Sequence, residues 1–275
     1  MSWTTVAKKD FQDAARSRRL LALVAVFVLF VAGASYFFIK LTSAIDEQGA
    51  EQVGVLLALS TPVGTFFPLI GILTGYRSVI GERESGSLKL LLSLPHTRTD
   101  VVVGKFAGRT AVVSLAAIVG FLVGGGVILA LGAPLPAVDY FIFVALALVL
   151  GAAFVSVGVG LSAGFSSENV VVIGGFGLVI LFTMLWNVLT FTLALALQNF
   201  GIGSESFRDG MVSFISALNP QQAFNLAFST VASVDPNRAV DGFWQQGWFG
   251  FLVLGLWVVL PLAFGRWRFS RAQLA

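Results

Sequence analysis

YFIFVALALVLGAAFVSVGVGLSAG, residues 140–164, contains no Asp, Glu, Lys, Arg or His. A helix of that length, at about 1.5 Å per residue, crosses a hydrocarbon core of about 30 Å. Comparable apolar runs occupy residues 20–39, 53–76, 110–131, 170–197 and 247–265. The chain of 275 residues is 57% apolar and 11% charged, against about 45–50% and about 25% in soluble proteins. The excess sits in long runs rather than in amphipathic stripes. The pattern predicts an all-α membrane protein with six transmembrane helices in a single domain over residues 1–275. The longest polar-containing stretch, between Gln198 and Gln246, is too short and too apolar for a separate soluble module.

An even number of spans places both termini on one side, and lysine and arginine select that side. The N-terminal tail holds Lys8, Lys9, Arg16, Arg18 and Arg19. The segment between spans two and three holds Arg77, Arg83, Lys89, Arg98, Lys105 and Arg109, and the C-terminal tail Arg266, Arg268 and Arg271. Only Lys40, Arg208 and Arg238 remain for the opposite side. Both termini and the segment 77–109 are therefore expected in the cytoplasm, in a multi-pass protein of the cell membrane. The formal charge of +3 reads as an orientation signal and gives no reason to expect a nucleic acid partner.

Before the first span, Trp3, Val6, Ala7, Phe11, Ala14 and Ala15 recur at helical spacing among basic residues. This predicts an amphipathic helix lying in the cytoplasmic interface, with Trp3 and Phe11 at the acyl boundary of the lipid bilayer. Ala32-Gly33-Ala34 has the form of a signal-peptidase site, but the apolar run continues through Ile39 to full spanning length, so the span is read as retained.

The sequence has no cysteine and one histidine, His96, which leaves no thiolate metal site, disulfide or Cys/His nucleophile pair. His96 is read as a solvated loop residue. The predicted spans carry no ionisable side chain. Ion-coupled carriers and intramembrane enzymes need such groups at depth, so any work done here is expected to draw energy from outside the bilayer. Gly71/Gly75, Gly120/Gly124 and Gly160/Gly164 have the spacing of close helix crossings. Pro62 and Pro68 lie within the second span and are expected to bend it.

The segment 77–109 is the most informative outside the spans. Glu82, Arg83 and Glu84 form a charged cluster, Ser85 or Ser87 can cap a short helix, and Leu88, Leu91 and Leu92 share a face of it. Pro95 ends that helix. Thr97 and Asp100 have capping-box spacing, so a second helix is expected from Arg98 into the third span. An amphipathic helix so placed either packs on its own spans or docks in a groove of a partner.

The run Glu82-Arg83-Glu84-Ser85-Gly86-Ser87-Leu88, then Leu91, Leu92 and Pro95, then Gly104-Lys105, resembles the signature of type-2 ATP-binding-cassette permeases. That exporter-like family includes drug, polysaccharide and copper-maturation permeases. The resemblance covers the whole chain, from interfacial helix through six spans to a long external segment before the last span. It implies that Glu82, Arg83, Glu84, Gly86, Ser87, Leu88, Leu91, Leu92, Pro95 and Lys105 form a coupling helix and its surroundings, contacting a separate ATPase subunit. It implies a working unit of two permease chains, as a homodimer, and two ATPase chains. This chain would then be no enzyme and hold no cofactor, ATP and magnesium residing on the ATPase. The chain agrees in lacking a P-loop: Thr99 stands where the first glycine of G-x-x-x-x-G-K-[ST] belongs, and Phe106 follows Lys105. Glu168 and Asn169, between spans four and five, are read as a solvated turn.

Between spans five and six, Phe207, Met211, Phe214, Ile215 and Leu218 align on one helical face, and Ala223, Phe224, Ala227, Phe228 and Val231 on another. Asn219-Pro220 opens the second helix and Asp235-Pro236 ends it. Two short amphipathic helices are expected on the external side, with Trp244 and Trp248 at the outer interface and Trp267 at the inner. The function expected is a permease subunit of an ATP-binding-cassette transporter, exporting its substrate. The alternatives are a non-transporting scaffold or sensor of the same fold, for which transport would be independent of ATP hydrolysis, and an ion-coupled carrier, which would show gradient-driven flux in vesicles holding this chain alone.

Overall fold

A computed structural model of the chain describes residues 3–45, 51–88, 97–232 and 242–271, which form helices and no strand. In order they are α1 (Trp3–Ala15), α2 (Arg18–Ile45), α3 (Glu51–Gly75), α4 (Ile80–Glu84), α5 (Arg98–Ala130), α6 (Ala137–Gly164), α7 (Glu168–Ile180), α8 (Trp186–Asn199), α9 (Glu205–Ala217), α10 (Pro220–Val231) and α11 (Gly247–Arg271). A π-helical turn, Leu181–Leu185, joins α7 to α8, and a 3₁₀ turn, Phe243–Gln245, precedes α11. Six helical runs are long and apolar enough to cross a membrane: α2, α3, α5, α6, α7–α8 and α11.

Span four, α6, is the most buried of the six and packs chiefly on α3 and α11. The glycine pairs account for this. A Cβ at Gly71 would lie 2.5 Å from the Cβ of Phe154, and one at Gly75 2.7 Å from the amide nitrogen of Val159. One at Gly265 would lie 2.8 Å from the Cα of Gly160. Gly120 and Gly124 seat Phe27 and Val31 of span one in the same way, with approaches of 2.5 and 2.7 Å. Each pair thus marks a crossing within this chain: around Gly71, Gly75 and Gly160 the facing atoms include main chain, whereas Gly120 and Gly124 leave room for the Phe27 and Val31 side chains. Aromatic edges fill the space between the crossings, with Phe27, Phe67, Phe121 and Phe143 in edge or tilted contact.

Several of the irregular points in the span helices are met by a side-chain donor. Pro68 cannot donate to the Gly64 carbonyl; Gln221 Nε2 does so instead. In the π-helical turn, the Phe182 carbonyl accepts from Asn219 Nδ2 at 3.0 Å, and the Thr183 hydroxyl donates to Val179 at 2.7 Å. Near Pro261, inside α11, the Ser156 hydroxyl donates to the Val258 carbonyl at 2.7 Å. Unpaired carbonyls are costly in hydrocarbon, so proline and π-turns persist only where neighbours re-satisfy them.

Asn219 caps α10 as expected: it is 3% exposed, its Oδ1 accepts from the Gln221 amide at 2.8 Å, and Pro220 occupies the first turn. Ala223, Phe224, Ala227 and Phe228 are buried, whereas Val231 of the same stripe is exposed. On α9, Phe207 and Met211 are also exposed, so only the inner half of that stripe is packed. Asp235-Pro236 lies outside the described residues. The hairpin α9–α10 is fastened further by Trp257 Nε1 donating to Leu218 at 3.0 Å and Trp244 Nε1 donating to Ser213 at 2.7 Å.

Candidate functional site

The motif residues gather where α1, α4, the start of α5 and the ends of α6 and α11 meet. The amides of Val79 and Ile80 both donate to Ser162 Oγ, each at 3.0 Å. One buried hydroxyl therefore takes two donors that a helix start leaves without intrahelical partners, and it fastens α4 to the last turn of α6. At the other end of α4 the Ser85 amide donates to Gly81, the Gly86 amide donates to Arg83, and Gly86 has φ +73°. This is the left-handed position after a helix end where a side chain is strained and glycine is not. The Ser85 and Ser87 hydroxyls lie 2.9 Å apart and both lean on the Glu82 carbonyl. Helical backbone resumes at Ser87 and Leu88. The glutamate–arginine–glutamate run with its glycine is thus a helix, a stop and a second start.

Leu88 is 1% exposed and belongs to the main core. Of the two arrangements the sequence leaves open for the leucine face, packing on the chain's own spans is the one Leu88 adopts; helical spacing puts the leucines on one face, and burial of an apolar side chain decides where that face turns. Leu91, Leu92 and Pro95, with His96, lie outside the described residues. The capping box forms as expected. The Thr97 amide and hydroxyl donate to Asp100 Oδ2 at 2.9 and 2.7 Å, and the Asp100 amide donates back to Thr97 Oγ1 at 3.1 Å. α5 then runs 33 residues without interruption, roughly 50 Å, so its first turns project beyond the apolar layer.

Those first turns carry Lys105, which is 1% exposed. Its ammonium lies 2.8 Å from Glu82 Oε1 and 3.3 Å from Asp10 Oδ1. Asp10, 4% exposed, also accepts from Arg109 through Nε and, at 3.1 Å, Nη2. Two carboxylates and two cations thus close a buried network joining α1, α4 and α5. Gly104 and Gly108 make room for it: a Cβ there would lie 2.7 Å from the Trp3 carbonyl oxygen and 2.6 Å from that of Ala7. The buried face of α1 is Val6, Asp10 and Ala14, while Trp3 is exposed and Phe11 half-buried.

Arg83 takes another direction. Its Nη1 donates to the Phe165 carbonyl at 3.1 Å, and its guanidinium lies 5.8 Å from the centre of the Phe269 ring. Arg98 lies over the same ring and donates to the Phe269 carbonyl. The Nε and Nη2 of Arg83 are buried without a partner among the described residues. Glu84 is exposed and pairs loosely with Arg77, at 4.0 Å, while Arg77 Nε holds Glu168 at 3.0 Å. Glu168, read from sequence as part of a solvated turn, is thus joined to the end of span two.

The structure brings Glu82 and Lys105 into contact, sends Arg83 to α6 and α11, leaves Glu84 and Gly86 exposed and Ser87 half-buried, and draws in Asp10, Ser162 and Glu168. At the opposite end, two adjoining cavities of about 360 and 200 Å³ share Ser60, Gln222 and Asn225. Hydroxyls and amides, chiefly from α3, α9 and α10, line them, and among the described residues no ionised side chain does. Their residues are too far apart in sequence for any local pattern to expose.

The chain matches the family described as ABC-2 family transporter protein over residues 4–274. It is 29% identical over 282 residues to the Pseudomonas aeruginosa protein named "Probable ABC transporter permease protein NosY", with 98% of each chain covered. It is 32% identical over 117 residues to a protein of the same name from Stutzerimonas stutzeri, over 42% of this chain and 41% of that one.

Proposed function

The chain belongs to the ABC-2 transporter family and is a membrane permease subunit of an ATP-binding-cassette transporter; on that premise we propose that α4 and the segment following it receive the movement of a separate ATPase subunit, which holds ATP and magnesium, and that the transporter exports its substrate. The observation that carries this reading is the buried Glu82–Lys105–Asp10 junction. Through it a push on α4 reaches α1 and α5, while Ser162 passes it to α6 and Arg83 to α11. Lys105 serves in this scheme by positioning, since its ammonium is enclosed. Glu84, exposed on the outer side of α4, is the contacting residue, together with Leu91 and Leu92. The basic end of the bundle faces the cytoplasm, which sets both termini there, and Trp3, exposed on α1, rests in the lipid interface with Phe11 beside it.

Glu84→Ala combined with Leu91→Asp tests the assignment. ATPase co-purification and ATP-driven transport in proteoliposomes are both expected to fall by about tenfold or more, the loss of one desolvated apolar anchor with one ionic contact. Undiminished association and transport would refute it.

The second permease chain is a copy of this one, meeting it along span five. That span is the least buried of the six. Asn187, within a few residues of its midpoint, is exposed, with no side-chain partner among the described residues. A carboxamide at that depth is unfavourable against lipid and is satisfied by a neighbouring helix. Asn187→Leu is expected to weaken the homodimer by about 1 kcal/mol, read as a shift in the monomer–dimer equilibrium in detergent by fluorescence energy transfer between labelled chains. An unchanged equilibrium would remove span five from the interface.

A further inference from the structure

Between the first turns of α2 and the last turns of α3 lies a partly open cavity of about 710 Å³. Its charged lining is cationic, Arg18, Arg77 and Arg109, with Ser17, Thr74 and Tyr76 beside them and no acidic side chain among the described residues. Two of the three guanidinium groups are already held from behind, Arg77 by Glu168 at 3.0 Å and Arg109 by Asp10. Arg18 has no ionic partner among the described residues and is exposed at the N-terminus of a 28-residue helix, where unpaired amides and the aligned peptide dipoles add positive potential.

A second observation is independent of charge. Thr74 lines the cavity and is 4% exposed, yet its hydroxyl makes no hydrogen bond among the described residues. A threonine within a helix can bond back to the carbonyl four residues before it, as the half-buried Thr183 and Thr190 do here, while Thr110, like Thr74, does not. A hydroxyl left unpaired in such a place is unfavourable unless an acceptor enters the cavity. Leu23 and Leu73 complete the lining, each one to two turns deeper into the apolar layer than the nearest arginine.

We propose that this cavity binds a phosphate-class oxyanion at the membrane surface, carried on an amphipathic molecule whose apolar part lies along Leu23 and Leu73. Planar guanidinium forks match the oxygens of a phosphate in pairs, and the Thr74 hydroxyl donates to a further oxygen. The volume exceeds what inorganic phosphate fills, which favours the headgroup of an anionic glycerophospholipid from the leaflet at the basic end of the bundle. Free phosphate offers the same recognition chemistry.

Native mass spectrometry of the full chain from mixed micelles tests this, with phosphatidylglycerol and phosphatidylcholine as competing lipids and inorganic phosphate as the free anion. Phosphatidylglycerol is expected to be retained over phosphatidylcholine by about tenfold, the weight of one charge-assisted contact. Arg18→Gln and Thr74→Val should each reduce that preference several-fold, and Arg18→Lys should keep most of it. Thermal melts in detergent without added lipid should coincide for the wild type and the two Arg18 variants, since Arg18 is exposed, and Thr74→Val should melt no lower, since valine matches threonine in shape and removes an unpaired hydroxyl. If inorganic phosphate stabilises the chain in an Arg18-dependent way while the two lipids are retained equally, the oxyanion site stands and its source is the free anion. Equal retention of both lipids with no Arg18-dependent response to phosphate overturns the proposal, as does a lipid preference that survives both Arg18→Gln and Thr74→Val.

Discussion

Lys105→Met is expected to lower the stability of the permease by about 3–5 kcal/mol, the scale of removing one partner from a buried ionic network. The substitution keeps most of the apolar stem and removes the ammonium. Asp10 keeps Arg109, but Glu82 loses its ammonium at 2.8 Å, and its second carboxylate oxygen already lacks a partner among the described residues. An uncompensated carboxylate at an enclosed site is worse than an apolar surface of the same shape, so the additional change Glu82→Gln should restore part of the loss. Denaturant unfolding in detergent, with the single and double variants in one cycle, measures both effects. A single-variant loss below about 1 kcal/mol would mean that the network is hydrated and does not lock α1 to α4.

Gly158→Leu carries the second large effect. A Cβ on Gly158 would lie 2.7 Å from the Ile72 carbonyl oxygen and 3.0 Å from the Cα of Gly75. Both obstacles are main chain, so no flexible side chain can give way, and α3 and α6 must separate along the crossing at the centre of the bundle. The expected cost is about 3 kcal/mol, at the upper end for overpacking, read as loss of the folded fraction on heating. Gly174→Leu and Gly177→Leu supply the control. A Cβ at either meets nothing within 4 Å, and substitution there is expected to change stability by about 0.5 kcal/mol or less. Equal losses at Gly158 and Gly174 would show that backbone freedom, and not the crossing, is what these glycines provide.

Features governed by neighbours in sequence were legible in advance. Apolar runs long enough to cross the bilayer, the Thr97–Asp100 box, the Asn219-Pro220 helix start and the glycine pairs each follow from local spacing, and each is present in the structure. Asp10 was not legible. It stands among Lys8, Lys9 and Asp13 like any solvated residue of a charged tail, and its partner Lys105 is 95 positions away. Ser162, whose hydroxyl receives two α4 amides, is likewise one small polar residue in an apolar run. Periodicity tells which residues share a face, and Leu88 shows that it does not tell what the face meets. Long-range polar pairs depend on how helices are arranged, which no single segment encodes.

The hairpin's hold on the spans bears on how this end of the bundle can move. Asn219 and Gln221 are two residues apart on one rigid helix start, yet one grips span five at Phe182 and the other span two at Gly64. Moving those spans apart at this level breaks the hairpin's bond to one of them, at Phe182 or at Gly64, beside a cavity whose hydroxyls and amides take up the released carbonyl. The hairpin is thus a clasp that can release one span while keeping its hold on the other.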